Sequence, residues 1–286
     1  MKSKKKVSAG SAVIYLVLIF WSLTTIYPIF WVIINSFKAK GEILSNSFAI
    51  PTGDLFTLAN YRTAFDRLNI FSAYRNSMII STTVALVVIL LAGMASFALV
   101  RYDFRLRKPL NSLVVAGMMF PVFSTIIPVY RLLSTWHMVN TESLALSLFS
   151  VALPQIAGNM SFAIVVLTGY IKALPIELEE SAYMEGCNPF QIFFKIVVPL
   201  SKPSFATVAI FSFLWSYNDL FTQMFLLRLP QHRAITRLLN ELTSNEGTNF
   251  GLMAAAVALV VIPILVVYIF LQKYIIKGMT AGAVKG

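Results

Sequence analysis

Charge is scarce in this sequence. Asp, Glu, Lys and Arg supply only 12% of its 286 residues, where a soluble domain carries about 25%. Apolar residues reach 58%, with a mean hydropathy of +0.77. That deficit excludes a water-covered surface and points to a bilayer as solvent. Cysteine is nearly absent: Cys187 stands alone, which excludes an internal disulfide and a cysteine metal cluster. The two histidines, His137 and His232, lie far apart in connecting segments and make no metal site. No G-x-x-x-x-G-K-[ST] loop is present to cradle phosphates, and no H-E-x-x-H or G-x-S-x-G motif to carry catalysis. The chain reads as a non-enzyme without bound cofactor or metal. It shows no internal repeat or low-complexity linker, so the expectation is one membrane domain over 1–286 with a core bundle at 76–275.

The net charge is +11, but the basic residues form short clusters between apolar runs. This placement suits membrane topology rather than nucleic-acid binding. The start, "MKSKKK" followed by apolar residues, resembles a signal peptide. The run over 12–37 exceeds an ordinary signal core and no A-x-A site closes it, so we read an uncleaved first span.

Six windows can cross a hydrocarbon core of about 30 Å: 12–37, 77–100, 110–133, 144–171, 203–227 and 250–272. Each is expected to be helical, because lipid offers no partner for a backbone polar group. The internal prolines Pro28, Pro121, Pro128, Pro154 and Pro263 are tolerated in packed membrane helices. With the amino terminus inside, the inner segments hold Lys2, Lys4, Lys5, Lys6, Arg101, Arg105, Arg107, Lys108, Lys172, Lys195, Lys202, Lys273, Lys277 and Lys285. Nine basic residues remain for the longer outer segments. Both termini are therefore expected to be cytoplasmic. In the outer segment 38–76, "FTLANYRTAF" suggests a short helix capped by Asn60 with Tyr61, Ala64 and Phe65 on one side.

Between the fourth and fifth windows lies "PIELEESAYMEGCNPFQIFFKIVVPLSKP", Pro175–Pro203. Its four glutamates would cost about 10–14 kcal/mol at the bilayer centre, against about 3–6 kcal/mol returned by its apolar residues. The block stays out of the bilayer, on the cytoplasmic side. Pro175 suits a first helical position, and Glu177 and Glu179 favour a helix start. Gly186 is a natural left-handed stop. Asn188-Pro189-Phe190-Gln191 reads as a capping box opening a second helix, with Phe190, Phe193, Phe194 and Val197 on one face and Pro199 at its end. Ser181 and Ala182 form a small patch beside Glu177 and Glu180, suited to close approach by a partner whose Arg or Lys meets Glu180.

This block resembles the EAA signature of membrane subunits of bacterial ABC importers. It reads Glu180-Ser181-Ala182, then Gly186, then nine residues to Ile196-Val197-Val198-Pro199, with Ser181 and Val198 as mild departures. "NYRTAF" at 60–65, "SFLWSYNDL" at 212–220 and "TAGAVKG" at 280–286 look like the second permease of maltose-type carbohydrate importers. The resemblance covers nearly the whole chain. It implies an all-α polytopic protein of the type I importer permease fold, with six transmembrane helices in the bacterial inner membrane and a coupling loop at 172–203. The coupling helix would dock on a partner through Glu177, Glu180, Ser181 and Ala182, with Gly186 and Pro199 shaping the block. That partner would be an ATPase dimer that binds ATP and Mg. The tail at 276–286, with Thr280, Gly282 and Lys285, would reach between the ATPase subunits. A second permease and an external solute-binding protein would complete the assembly.

Ionisable residues inside spans are functional candidates by default. Asp219 is the sharpest, with Trp215, Tyr217 and Asn218 beside it as groups that suit a sugar. Trp215 and Asp219, four apart, are expected on one helix face. Asn111, Gln155, Asn159 and Gln223 are weaker candidates of the same kind. An oligosaccharide is what the resemblance implies, with glycerol phosphate as another solute. An ion-coupled secondary transporter stays open as the alternative, resting on Asp219 with Arg131.

Overall fold

The computed structural model describes residues 9–67, 69–245 and 249–283. Among them there are helices and loops but no strand. Four helices are long and apolar enough to cross a membrane on their own: Gly10–Ser36, Ile70–Arg101, Leu144–Lys172 and Phe250–Phe270. They belong to α1 (Ala9–Ser36), α4 (Ile70–Arg101), α7 (Leu144–Lys172) and α14 (Phe250–Ala283). Between the first two lie α2 (Lys40–Ser45) and α3 (Ala59–Arg67). The helices group into two compact units, Met1–Leu68 with Leu239–Ile262, and Asn69–Leu238 with Pro263–Gly286.

In the first unit, α1 exposes its side chains from Ala12 to Pro28. Beyond its end the chain is tied down tightly. Asn60 was expected to cap α3, but it sits inside that helix. Its buried amide instead donates to the carbonyls of Ser36 and Lys38, both at 2.9 Å. The Ser36 carbonyl ends α1 and that of Lys38 lies just beyond it, and both need donors from elsewhere, so tertiary satisfaction wins over local capping. Ser36 shares a hydrogen bond with the Tyr61 hydroxyl, and Phe37 packs its ring on Phe56 and Tyr61. Lys38 is fully buried and donates to the carbonyls of Asn46 and Ser47. Burial lowers its pKa from the ordinary lysine value, with Glu42 pulling the other way.

The second unit is built on α4 and α7, with α11 (Lys202–Asn218) laid against both. Ile80, Val84, Val88 and Ala92 recur every four residues on α4 and are almost fully buried. They meet Val151, Ala163 and Leu167 of α7 in one core. Small residues let these helices approach closely, which is how packing gains contact where the solvent itself is apolar. Gly93 marks the tightest place, since a Cβ there would stand 2.6 Å from the Phe205 ring. Ser96 adds a hydroxyl bond to the Ile164 carbonyl at 3.1 Å.

Two of the six expected windows are not single helices. The third divides into α5 (Arg107–Gly117) and α6 (Val122–Thr135), broken at Met118–Pro121, with Pro121 at the start of α6. The fifth divides at Asp219 into α11 and α12 (Leu220–Leu226). The sixth helix extends past 272 to Ala283. A final amphipathic helix, α13 (Ile235–Asn245), precedes it.

Candidate functional site

Two places in the second unit concentrate polar chemistry. The first is the acidic block. Its leading helix, α8 (Glu177–Met184), begins two residues after Pro175 rather than on it. Gly186 lies at φ +83°, where a side chain would be strained. Cys187 N donates to Ala182 O at 3.0 Å and Gly186 N to Tyr183 O at 2.9 Å, the two bonds of a Schellman stop. Asn188 then accepts from Gln191 N while the Gln191 side chain accepts from Asn188 N, both at 2.9 Å, which closes the expected capping box.

The helix opened there, α9 (Pro189–Ile192), runs through a π-helical turn, Phe193–Val197, into α10 (Val198–Leu200). The expected phenylalanine face is divided. Ile192, Phe193 and Val197 are buried, whereas Phe190 and Phe194 face outward. Pro199 lies within α10, exposed, and the chain bends by 84° between Pro189–Leu200 and α11.

On α8, Glu177, Glu180 and Ser181 are exposed, with Leu178 and Met184 beside them. Ala182 is buried against the core rather than presented outward. What fixes this helix is a contact that no local pattern announces. Glu179 is 4% exposed and pairs with Arg101 at 2.8 Å. The Arg101 guanidinium also donates to the carbonyls of Ile171 and Leu174 at 3.0 and 3.1 Å, where α7 ends. One side chain from α4 thus fastens α8 and stops α7. Next to it, Tyr102 and Tyr183 share a hydrogen bond of 2.8 Å. Burial, with that bond adding to it, pushes the Tyr102 phenol up to about 12.

The second place is a cavity of about 560 Å³ where both helix breaks come to α7. Met118 and Phe120 line it from the first break, Asp219 from the second, and Gln155 and Asn159 from α7. A Cβ at Gly117 would stand against the Ser161 hydroxyl, which would have to turn away.

Asp219 accepts from Thr222 N at 3.0 Å and so caps α12, while its other oxygen accepts from Gln155 Nε2 at 2.9 Å. Gln155 Oε1 in turn accepts from the Ser216 hydroxyl at 2.6 Å. Asn159 donates to Gln155 O at 2.7 Å, and its buried Oδ1 is left without a partner. Trp215 also lines the cavity, with its ring held by Phe162 and Phe211. Trp215 and Asp219 therefore meet at one cavity, although Asp219 ends the helix rather than sharing its face.

Tyr217 and Asn218 sit elsewhere. Tyr217 is fully buried and stacks on Phe213, while Asn218 is exposed and donates to Leu214 O. Asn111 is not among the lining residues, and Gln223 donates to Ser216 O from behind the cavity wall. Thr280 and Gly282 fall within α14, and Lys285 lies outside the described residues, as do the lysines of residues 1–8. Among the described residues, no cluster of His, Cys, Asp and Glu has metal-ligand geometry.

Residues 86–281 match the family described as binding-protein-dependent transport system inner membrane component. The chain belongs to that family. Among its relatives, the diacetylchitobiose uptake system permease protein NgcG of Streptomyces coelicolor is 31% identical, covering 95% of this chain and 88% of the relative. The melibiose/raffinose/stachyose import permease protein MelC of Bacillus subtilis is also 31% identical, covering 91% of each. In fold, the permease matches a chain of a bacterial ABC transporter that imports the acidic polysaccharide alginate. The TM-score is 0.76 at 20% identity, covering 95% of this chain and 99% of that one. It is thus a membrane-embedded transport subunit of the type I importer permease fold.

Proposed function

We propose that this permease forms, with a second permease subunit, the translocation path for an oligosaccharide and couples it to a separate ATPase. The observation that carries the reading is the cavity at Asp219, where two helix breaks, an amide pair and an aromatic ring converge. The substrate class follows from the names of relatives such as NgcG and MelC. In this reading the protein crosses the membrane six times, with α5–α6 and α11–α12 each making one broken crossing and both termini in the cytoplasm. The exposed acidic and apolar face of α8 is the coupling surface, with Glu177, Glu180 and Ser181 meeting the ATPase. Ala182 supports the helix from below. Gly186 and the capping box hold the turn behind it.

ATP and Mg bind to the ATPase dimer, since this chain carries no phosphate cradle of its own. The stretch from Thr280, including Gly282 and Lys285, reaches between the ATPase subunits. An extracytoplasmic solute-binding protein delivers the sugar, and hydrolysis alternates the opening of the path. The Arg101–Glu179 pair gives this coupling a rigid link, because movement of α8 pulls directly on the ends of α4 and α7. Purification of the tagged chain from its own membranes is expected to recover an ATPase and a second permease. Glu180→Lys is expected to lose the ATPase and keep the second permease. Recovery of this chain alone, or retention of the ATPase by Glu180→Lys, would contradict the reading.

A further inference from the structure

The cavity has an asymmetry of charge. Asp219 is the one ionisable side chain among its described lining residues, and no Lys, Arg or His faces it there. The carboxylate is held entirely by neutral donors, the Thr222 N–H and the Gln155 amide. Neither cancels its charge, as Arg101 cancels that of Glu179. The remaining polar lining offers hydrogen bonds without charge. Gln155 is fixed by Ser216, and Asn159 keeps a buried, unpartnered acceptor oxygen that a ligand hydroxyl would satisfy.

We propose that this cavity selects uncharged saccharides and excludes uronates and sugar phosphates, with Asp219 as the residue that repels them. The proposal rests on the cavity being part of the transport path and adds the class of solute that path accepts. An anion brought within several ångströms of an uncancelled carboxylate at low effective dielectric is disfavoured by at least about tenfold. A neutral sugar suffers no such penalty and finds an acceptor at Asn159 and an aromatic face at Trp215. The fold neighbour that imports an acidic polysaccharide shares the architecture at 20% identity, so the architecture alone does not set the charge preference.

Charged thiol reagents test the exclusion directly. Gly158 borders the cavity, and a Cβ there meets nothing within 4 Å, so Gly158→Cys in a Cys187→Ser background places a reactive thiol at the wall. Membranes containing the assembled importer are treated with sulfonate, trimethylammonium and uncharged methanethiosulfonates. Rates are normalised to those with free cysteine. The expected result is a sulfonate rate about tenfold below the uncharged one, restored to parity by Asp219→Asn. Asparagine keeps the cap on α12, and Ala157→Cys supplies a second reporter on the same wall. Equal rates with Asp219 present, or a slow sulfonate rate that survives Asp219→Asn, would overturn the proposal. The underlying path is read separately. Once the introduced thiol carries a bulky maleimide, uptake of radiolabelled raffinose and diacetylchitobiose should stop. Persistent uptake would remove the cavity from the path, whatever the labelling rates show.

Discussion

Glu179 and Asp219 are both held by two elements of the same helical unit, yet they are held in opposite ways. Glu179 meets a guanidinium that also caps the end of α7, so its charge is cancelled and it serves as a fastener. Asp219 meets an amide and a backbone N–H, so its charge is retained and borders a cavity. The donor decides what the acid can do. A carboxylate paired with Arg fixes geometry, whereas one oriented by neutral groups keeps a field available for a passing solute.

Breaking the first of these should have the larger effect. Glu179→Ala leaves Arg101 buried without its counter-charge and is expected to cost about 3–5 kcal/mol. Thermal denaturation of the detergent-purified chain would register this as a large drop in midpoint. The double variant Arg101→Met/Glu179→Leu should recover part of the loss, because it removes both charges together but leaves the Ile171 and Leu174 carbonyls without their donor. A single variant as stable as the parent would show that the pair is not a fastener.

Asp219→Ala should cost about 1–2 kcal/mol, through loss of the α12 cap and of the acceptor for the Gln155 amide, and Asp219→Asn less than that. The same melting experiment separates the two, and an Asp219→Ala loss as large as that of Glu179→Ala would erase the contrast. The smallest effect is expected beside the fastener. Folding raises the Tyr102 pKa to about 12 from an ordinary value near 10, so it favours the neutral phenol. The stabilising contribution is then fully present below about pH 10 and is lost as pH rises toward 12. Tyr102→Phe should flatten that part of the stability profile, measured as melting midpoint against pH.

The two regions also differ in how far the sequence revealed them. The stop at Gly186 and the capping box from Asn188 to Gln191 were legible because capping is satisfied within a few residues. The Arg101–Glu179 pair was not, since its partners stand 78 positions apart and nothing local demands the contact. Hydropathy located the four long apolar helices but not the breaks at Met118–Pro121 and Asp219. Met, Phe and Leu continue an apolar run whether or not the backbone stays helical, and only Pro121 offered a hint. Gln155 appeared a minor candidate because its importance lies in orienting Asp219 and Ser216, which α7 and α11 bring together only after packing. The phenylalanine face was misplaced for another reason: Ile192 is as apolar as Phe190, and the face through Ile192, Phe193 and Val197 turns inward while Phe190 and Phe194 face outward.

The decisive experiment is ATP-driven uptake by the reconstituted importer carrying Gly158→Trp, read with whichever of radiolabelled raffinose and diacetylchitobiose the parent importer carries. The indole would occupy open space at the cavity wall. Uptake is expected to fall at least about tenfold while the ATPase still copurifies, since binding volume is lost and the coupling surface is intact. Uptake at the parental rate, with the indole in place, would contradict the proposed path.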